Sequence, residues 1–251
     1  MRRTTIITIV LVSVIILSLE KSTLNAVQRR IKTKDGKYMR FIRGGSFIMG
    51  SGAHCEETPR HRVRVKSFYL DETEVTFNQF KNFIKHSGYV TQGKWKRGFK
   101  RGWGKHPVTN VTYKDAVAYA KWAGKRLPTQ SEWEYAAGGP RRYTYSYGPG
   151  WSLTKGATWH PRIKRTRKVR SYRPNGYGLY DMTGNVMEWT SSKYLPYPRG
   201  KRCKHMDGNY MTVKGGCYLF FAVRSRRQAR HAVKPSIAFT ALGFRCAKEI
   251  N

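Results

Sequence analysis

Residues 106–139 read HPVTNVTYKDAVAYAKWAGKRLPTQSEWEYAAGG, and their capping chemistry defines two helices. Thr112 followed three residues later by Asp115 is a capping box whose carboxylate is one methylene shorter than the usual Glu. Gly124 supplies the left-handed stop for the helix that carries Ala116, Val117, Ala120 and Ala123. Thr129 with Glu132 is a full box and opens a short second helix over 130–137, ended by Gly138-Gly139. Between the two helices, Pro128 biases Leu127 away from the α region and donates no backbone hydrogen bond, so 126–128 is extended.

Upstream, 38–48 alternates as a strand with a turn or bulge at Gly44-Gly45, and 49–59 reads as a polar loop. Residues 61–68 alternate strictly, which predicts a strand with one buried face and an almost wholly cationic outer one. Thr76 with Gln79 opens another helix, whose Phe77, Phe80, Phe83 and Ile84 share a core-facing side before Gly88. From 89 to 105 glycine, lysine and the aromatics Trp95, Phe99 and Trp103 alternate without a period, the pattern of a long loop. Aromatics among cations either stack sugars or nucleotides or pin such a loop to the core. Downstream, 141–177 reads as loop, 175–178 as a tight turn, and 179–190 as turn then strand. Residues 213–218 predict a strand containing a glycine pair, and 242–246 a closing strand.

A chain of 251 residues with 39% hydrophobic content can bury one substantial core. Its first 26 residues follow the order of a secretory signal, with Arg2-Arg3, an apolar run over 6–19, then a polar stretch ending in small residues. That order predicts export to the periplasm or beyond, or a membrane anchor if the signal is retained. A basic lead over 27–37 and one domain over 38–251 complete the expected organisation. The net charge is +35, and +33 without residues 1–26, which hold three cations and one carboxylate. Such charge says little about fold but predicts salt-sensitive attraction to polyanions: nucleic acid, an acidic glycan, an acidic protein or a membrane surface. Cations spread over several loops are also what a solvated face looks like. Four cysteines in an exported chain predict up to two disulfides, and none has zinc-finger spacing. The seven histidines are scattered, so no histidine metal site is proposed.

Four motifs carry a family resemblance: GGSFIMGS at 44–51, AYAKWAGKRLPTQSEWEYAAGG at 118–139, NGYGLYDMTGNVMEWT at 175–190 and GFRC at 243–246. Over about 39–248 the chain resembles the formylglycine-generating enzyme, or sulfatase-modifying factor, family. The resemblance implies an α+β fold related to the C-type lectin fold, with little regular secondary structure. It also implies chemistry in which two cysteines hold copper(I), a metal suited to soft thiolates, and oxidise a substrate cysteine. The interval that should hold both cysteines reads YLFFAVRS at 218–225 and has neither. The first falls at Phe220 and the second near Arg224 or Ser225. Copper and formylglycine synthesis are therefore not expected.

Cys217 replaces a serine of the family's pocket, and the family's partner for Cys246 aligns with Ala120. Cys246 then keeps a free thiol or takes a new partner, for which Cys217 is the candidate. The same two cysteines are the candidates for a relocated catalytic pair, if their sulfurs converge. For metals the resemblance implies a structural calcium at Asn185 and Glu188, oxygen donors on a tight turn. A second calcium position is lost to Arg170. The expected function is a non-catalytic binding or accessory protein whose anion-binding residues are Arg224, Arg226, Arg227 and Arg230. Arg226 and Arg230 match family arginines and are read as structural, which leaves Arg224 and Arg227 freer for a ligand. The alternatives are an oxidoreductase with altered chemistry and a structural subunit of a larger extracytoplasmic assembly.

Overall fold

The computed structural model describes residues 28–152, 154–158 and 164–250, so the expected signal over 1–26 lies outside the described residues. Strands β1 (Arg30–Lys32) and β2 (Tyr38–Ile42) begin a four-stranded antiparallel sheet that continues through β5 (Phe68–Asp71) to β10 (Ala247–Lys248). A hairpin of β3 (Gly45–Met49) and β4 (His61–Val65) packs beside it. The second four-stranded sheet runs in the order β8 (His231–Val233), β7 (Met211–Lys214), β6 (Met187–Lys193), β9 (Leu242–Gly243). The chain thus enters and leaves through the first sheet and builds the second from its last third.

Two expectations are corrected here. The described part of the expected 27–37 lead is not outside the domain: β1 pairs with β2, and Asp35 and Lys37 are buried. The 38–48 strand is two strands in different sheets, because Ile42 pairs with Phe68 while Gly45 pairs with Val65. The step across Arg43-Gly44 moves the chain from one sheet to the other.

The three α-helices among the described residues begin where the capping chemistry places them. They are α1 (Phe77–Ser87), α2 (Tyr113–Trp122) and α3 (Gln130–Ala137), each opened by a complete capping box from Thr76, Thr112 and Thr129. Phe80 and Phe83 of α1 meet Tyr119 of α2 with ring centroids 6.1 and 5.5 Å apart, and Phe244 closes on Tyr119 at 5.3 Å. This aromatic cluster forms the core of one half. Trp133 and Tyr135 of α3 centre the other, packed with Phe47, Phe68 and Leu70.

Asp115 does more than close a box. Besides Thr112, its carboxylate accepts from the backbone N–H of Gln92 and Gly93, both at 2.8 Å, and from the Tyr89 hydroxyl at 3.2 Å. The shorter acid therefore binds the start of the 89–105 loop to α2. We expect Asp115→Ala to cost about 2–4 kcal/mol in urea unfolding, since besides the cap it strands the loop N–H groups, that of buried Gly93 above all. Thr129→Ala, a cap loss alone, should cost about 1 kcal/mol. Equal costs for the two variants would mean that the loop contributes nothing to the Asp115 site.

Candidate functional site at the loop between β7 and β8

The segment that leaves β7 is turned by Gly215 and Gly216, whose φ values of +95° and +66° end the strand before the glycine pair rather than running through it. A Cβ on Gly216 would stand 2.0 Å from Ser225 Oγ, so the returning loop lies directly on the turn. Phe220, at the position the resemblance gives to the first catalytic cysteine, is half-buried against the core, with its ring 5.2 Å from His231. Together with Met187, Val233, Ile237 and Phe239 these rings line an apolar cleft of about 430 Å³. Around its mouth Leu219, Phe221 and Val223 are 52%, 61% and 51% exposed. A cleft of this composition can receive an apolar group and offers no thiolate to a soft metal.

Neither remaining thiol is activated. Burial raises Cys217 to about 11, and burial followed by the Asp71 carboxylate raises Cys246 further above its ordinary value. Both are protonated near neutrality, whereas copper(I) and nucleophilic chemistry need thiolates. Of the two outcomes open for Cys246, the free thiol holds and the pairing with Cys217 does not: both are free and buried, and the disulfide joins Cys55 to Cys203. That bond ties the 49–59 loop to the basic 199–204 segment.

The four candidate arginines are deployed unequally. Arg226 makes a fork-to-fork pair with Glu57, both contacts at 2.9 Å. Arg230 is buried between the Tyr194 and Tyr197 rings, 4.6 and 4.5 Å from their centroids. Both placements agree with a structural role. Arg227, read as free for a ligand, is instead buried on Glu134 at 3.1 Å. Glu134 also takes Lys214 at 3.0 Å and the Gly50 N–H at 3.0 Å, so the Arg227 guanidinium completes an interior charge cluster. Only Arg224 of the four is exposed.

Asn185 and Glu188 do not fit a calcium ion as arranged. Glu188 binds Arg245 through both oxygens, at 2.8 and 2.7 Å, and accepts Trp133 Nε1 at 2.7 Å. Asn185 Oδ1 accepts the Arg167 N–H and its Nδ2 donates to Glu74. The Arg245 guanidinium already neutralises Glu188, and among the described residues no group of three or more His, Cys, Asp or Glu could hold a metal. Arg170, read as the loss of a second calcium, sits on Glu72, which also binds Arg30 and Arg40.

A further feature escapes the sequence reading. Ten of the fourteen carboxylates are buried, and one, Glu20, lies outside the described residues. Glu56, Asp207 and Glu249 alone remain to face solvent among the described residues. Capping patterns identify Asp115 and Glu132 as interior acids, but nothing local marks Asp35, Asp71 or Glu134, whose partners lie 90, 54 and 80 residues away.

A mixed α+β domain with little regular structure, three Thr-capped helices and a glycine-pair turn under a returning arginine-rich loop defines one class of fold. Residues 25–250 match the sulfatase-modifying factor enzyme 1-like domain, and the chain belongs to that family. A formylglycine-generating enzyme of Streptomyces coelicolor is 34% identical over 83% of this chain and 88% of its own length. A Chlamydia pneumoniae protein named serine/threonine-protein kinase pkn1 is 35% identical over 85% of this chain, but only 38% of its own length takes part. Among solved structures, PvdO from Pseudomonas aeruginosa superposes with a TM-score of 0.73 at 26% identity, covering 88% of this chain and 98% of that one.

Two measurements check the site. A thiol reagent should find no reactive cysteine in the native protein and two in the unfolded, unreduced one; fast native reaction at Cys217 would contradict its burial. Burial, against the hydrogen bond to the Arg224 carbonyl and aided by the charges of Arg224 and Lys214, brings His231 down to about 4, with Glu56 opposing. The unfolded chain takes up this proton near pH 6.5 and the folded one only near 4, so stability falls as pH drops through that window. The loss from this group should be about 1–3 kcal/mol for a partly exposed ring, and His231→Gln should flatten the acid limb by that amount.

Proposed function

We propose that this chain is a non-catalytic member of its family, exported, that binds an anionic partner as an accessory protein. The observation that carries the reading is the 218–225 loop, which holds Phe220 and exposed apolar side chains where the family's chemistry needs a thiolate pair. A family member without that pair keeps the scaffold and loses the reaction. The relatives named as formylglycine-generating enzymes support the scaffold; the loop argues against the same activity here. The partner is read from charge. With the carboxylates spent inside, nearly every ionised group on the described surface is Lys or Arg, and Arg224 stands exposed beside the apolar cleft. Such a surface attracts polyanions over long range and releases them as salt rises.

The test has two arms on the purified chain without residues 1–26. Oxygen uptake with copper(I), a reductant and cysteine-containing peptides should stay at background. Uptake that vanishes in Cys217→Ser would overturn the non-catalytic reading and make Cys217 a relocated catalytic thiolate. Retention on a heparin matrix should be strong at low salt and fall steeply, by orders of magnitude in affinity between about 50 and 200 mM if several anionic groups are engaged. A flat salt response would sink the anionic-partner reading.

A further inference from the structure

The loop over 89–105 builds a second cleft, which Tyr218 and Thr240 help to line. It has a volume of about 200 Å³ and is lined by Arg97, Lys100, Lys164 and Arg165 around Trp103, with threonine hydroxyls at its wall and no carboxylate. Among the described residues none of these four cations forms an ion pair, in contrast to Arg226 and Arg227. Lys100 Nζ and the Arg165 guanidinium carbon stand 5.4 and 5.8 Å from the centre of the Trp103 ring. The other ring against Trp103 is His106, stacked at 4.5 Å and 11° from parallel. His106 is buried, bonded to Thr166 Oγ1 at 3.0 Å, and held below its ordinary pKa by burial and then by Arg165 and Lys168. It therefore leaves the cationic charge of the cleft to the lysines and arginines.

The two walls are fixed before any ligand arrives. Trp95 is buried in the core, and a Cβ on Gly98 would stand 2.5 Å from Thr109 Oγ1, so the 95–98 turn lies flat on the strand-like segment beneath it. On the opposite side, the Val169 N–H donates to Lys105 at 3.0 Å, and with the His106–Thr166 bond it draws 164–169 against the loop. Like charges gathered without an acid repel one another, and the energy spent in gathering them is recovered by an anion that enters. Guanidinium and ammonium groups beside hydroxyl donors suit a tetrahedral oxyanion. The size suits a small one, because pockets that enclose drug-sized molecules run to about 300–1,000 Å³.

We propose that the Trp103 cleft binds a phosphate or sulfate group, either free or carried as a small monoester. The proposal rests on the anionic-partner reading and deepens it by assigning the recognition site to Arg97, Lys100, Lys164 and Arg165. Isothermal titration of the chain without residues 1–26, at constant ionic strength, would use inorganic phosphate, inorganic sulfate and glycerol 3-phosphate as probes. Saturable binding is expected for at least one of them. It should weaken tenfold or more in Lys100→Gln/Arg165→Gln, whose side chains are exposed and whose melting temperature should stay at the wild-type value. Tighter binding of glycerol 3-phosphate than of either inorganic ion assigns the site to an ester; equal binding assigns it to the free ion.

The heparin assay separates the two ideas. If heparin retention persists with its salt slope while no small anion binds, or binds the double variant as well as wild type, the cleft proposal is overturned and the broader reading stands. If heparin retention is also absent, both fall.

Discussion

Burying charge in pairs is the constraint on which this structure depends. Lys125 is wholly enclosed between Asp35 and Asp71 at 2.8 and 2.9 Å, joining the start of the first sheet to the end of α2. Arg245 is enclosed with Glu188 and also donates to the carbonyls of Asp71, Glu72 and Tyr180, so the last strand, β5 and the turn before β6 share one guanidinium. Lys214 and Arg227 meet on Glu134 of α3. Such pairs add little net stability over a well-packed apolar substitute, but breaking one strands a buried charge and costs about 3–5 kcal/mol. They therefore act as register marks for a fold with short strands and long loops. Apolar packing alone would tolerate several arrangements of those loops; a buried lysine tolerates one.

The sequence makes the local part of this legible. Each Thr-x-x-acid or Thr-x-x-Gln box sits within four residues, and all three helices begin where those boxes place them. The alternation over 61–68 yields β4 with Arg62 and Arg64 outward only as far as Val65; the expected single strand breaks there, and Phe68 opens β5 in the other sheet. What escapes is set by distant contacts. β1 carries no pattern of its own and exists because β2 offers an edge, and Gly44 separates two sheets only because β4 and β5 diverge. The resemblance identifies the family and the loop that lacks its cysteines. It cannot show that Arg227 turns inward, because its partner Glu134 is on another element 93 residues away. Nor can it show that the cysteine pairing runs from Cys55 to Cys203.

Where the resemblance places a thiolate pair, the loop after β7 forms a phenylalanine-lined cleft, and Cys217 and Cys246 are held as neutral thiols by burial. Around it stand the glycine-pair turn, the Arg226–Glu57 fork and the Trp133–Glu188–Arg245 cluster. Charges locked to one another hold this surround in shape independently of what the loop carries. The Trp103 cleft, by contrast, is built from cations that the interior does not use.

The sequestration of acids has a consequence for how the molecule meets its neighbours. The outward charge resides almost entirely on side chains that keep their protons until strongly alkaline pH, so ordinary acidification or neutralisation hardly alters it. Two copies then approach each other as fixed like charges, and contact between them requires something anionic in the gap. The effective charge of this protein is consequently a property of its surroundings: small counter-ions dress it, and where they are scarce mutual repulsion holds the copies apart.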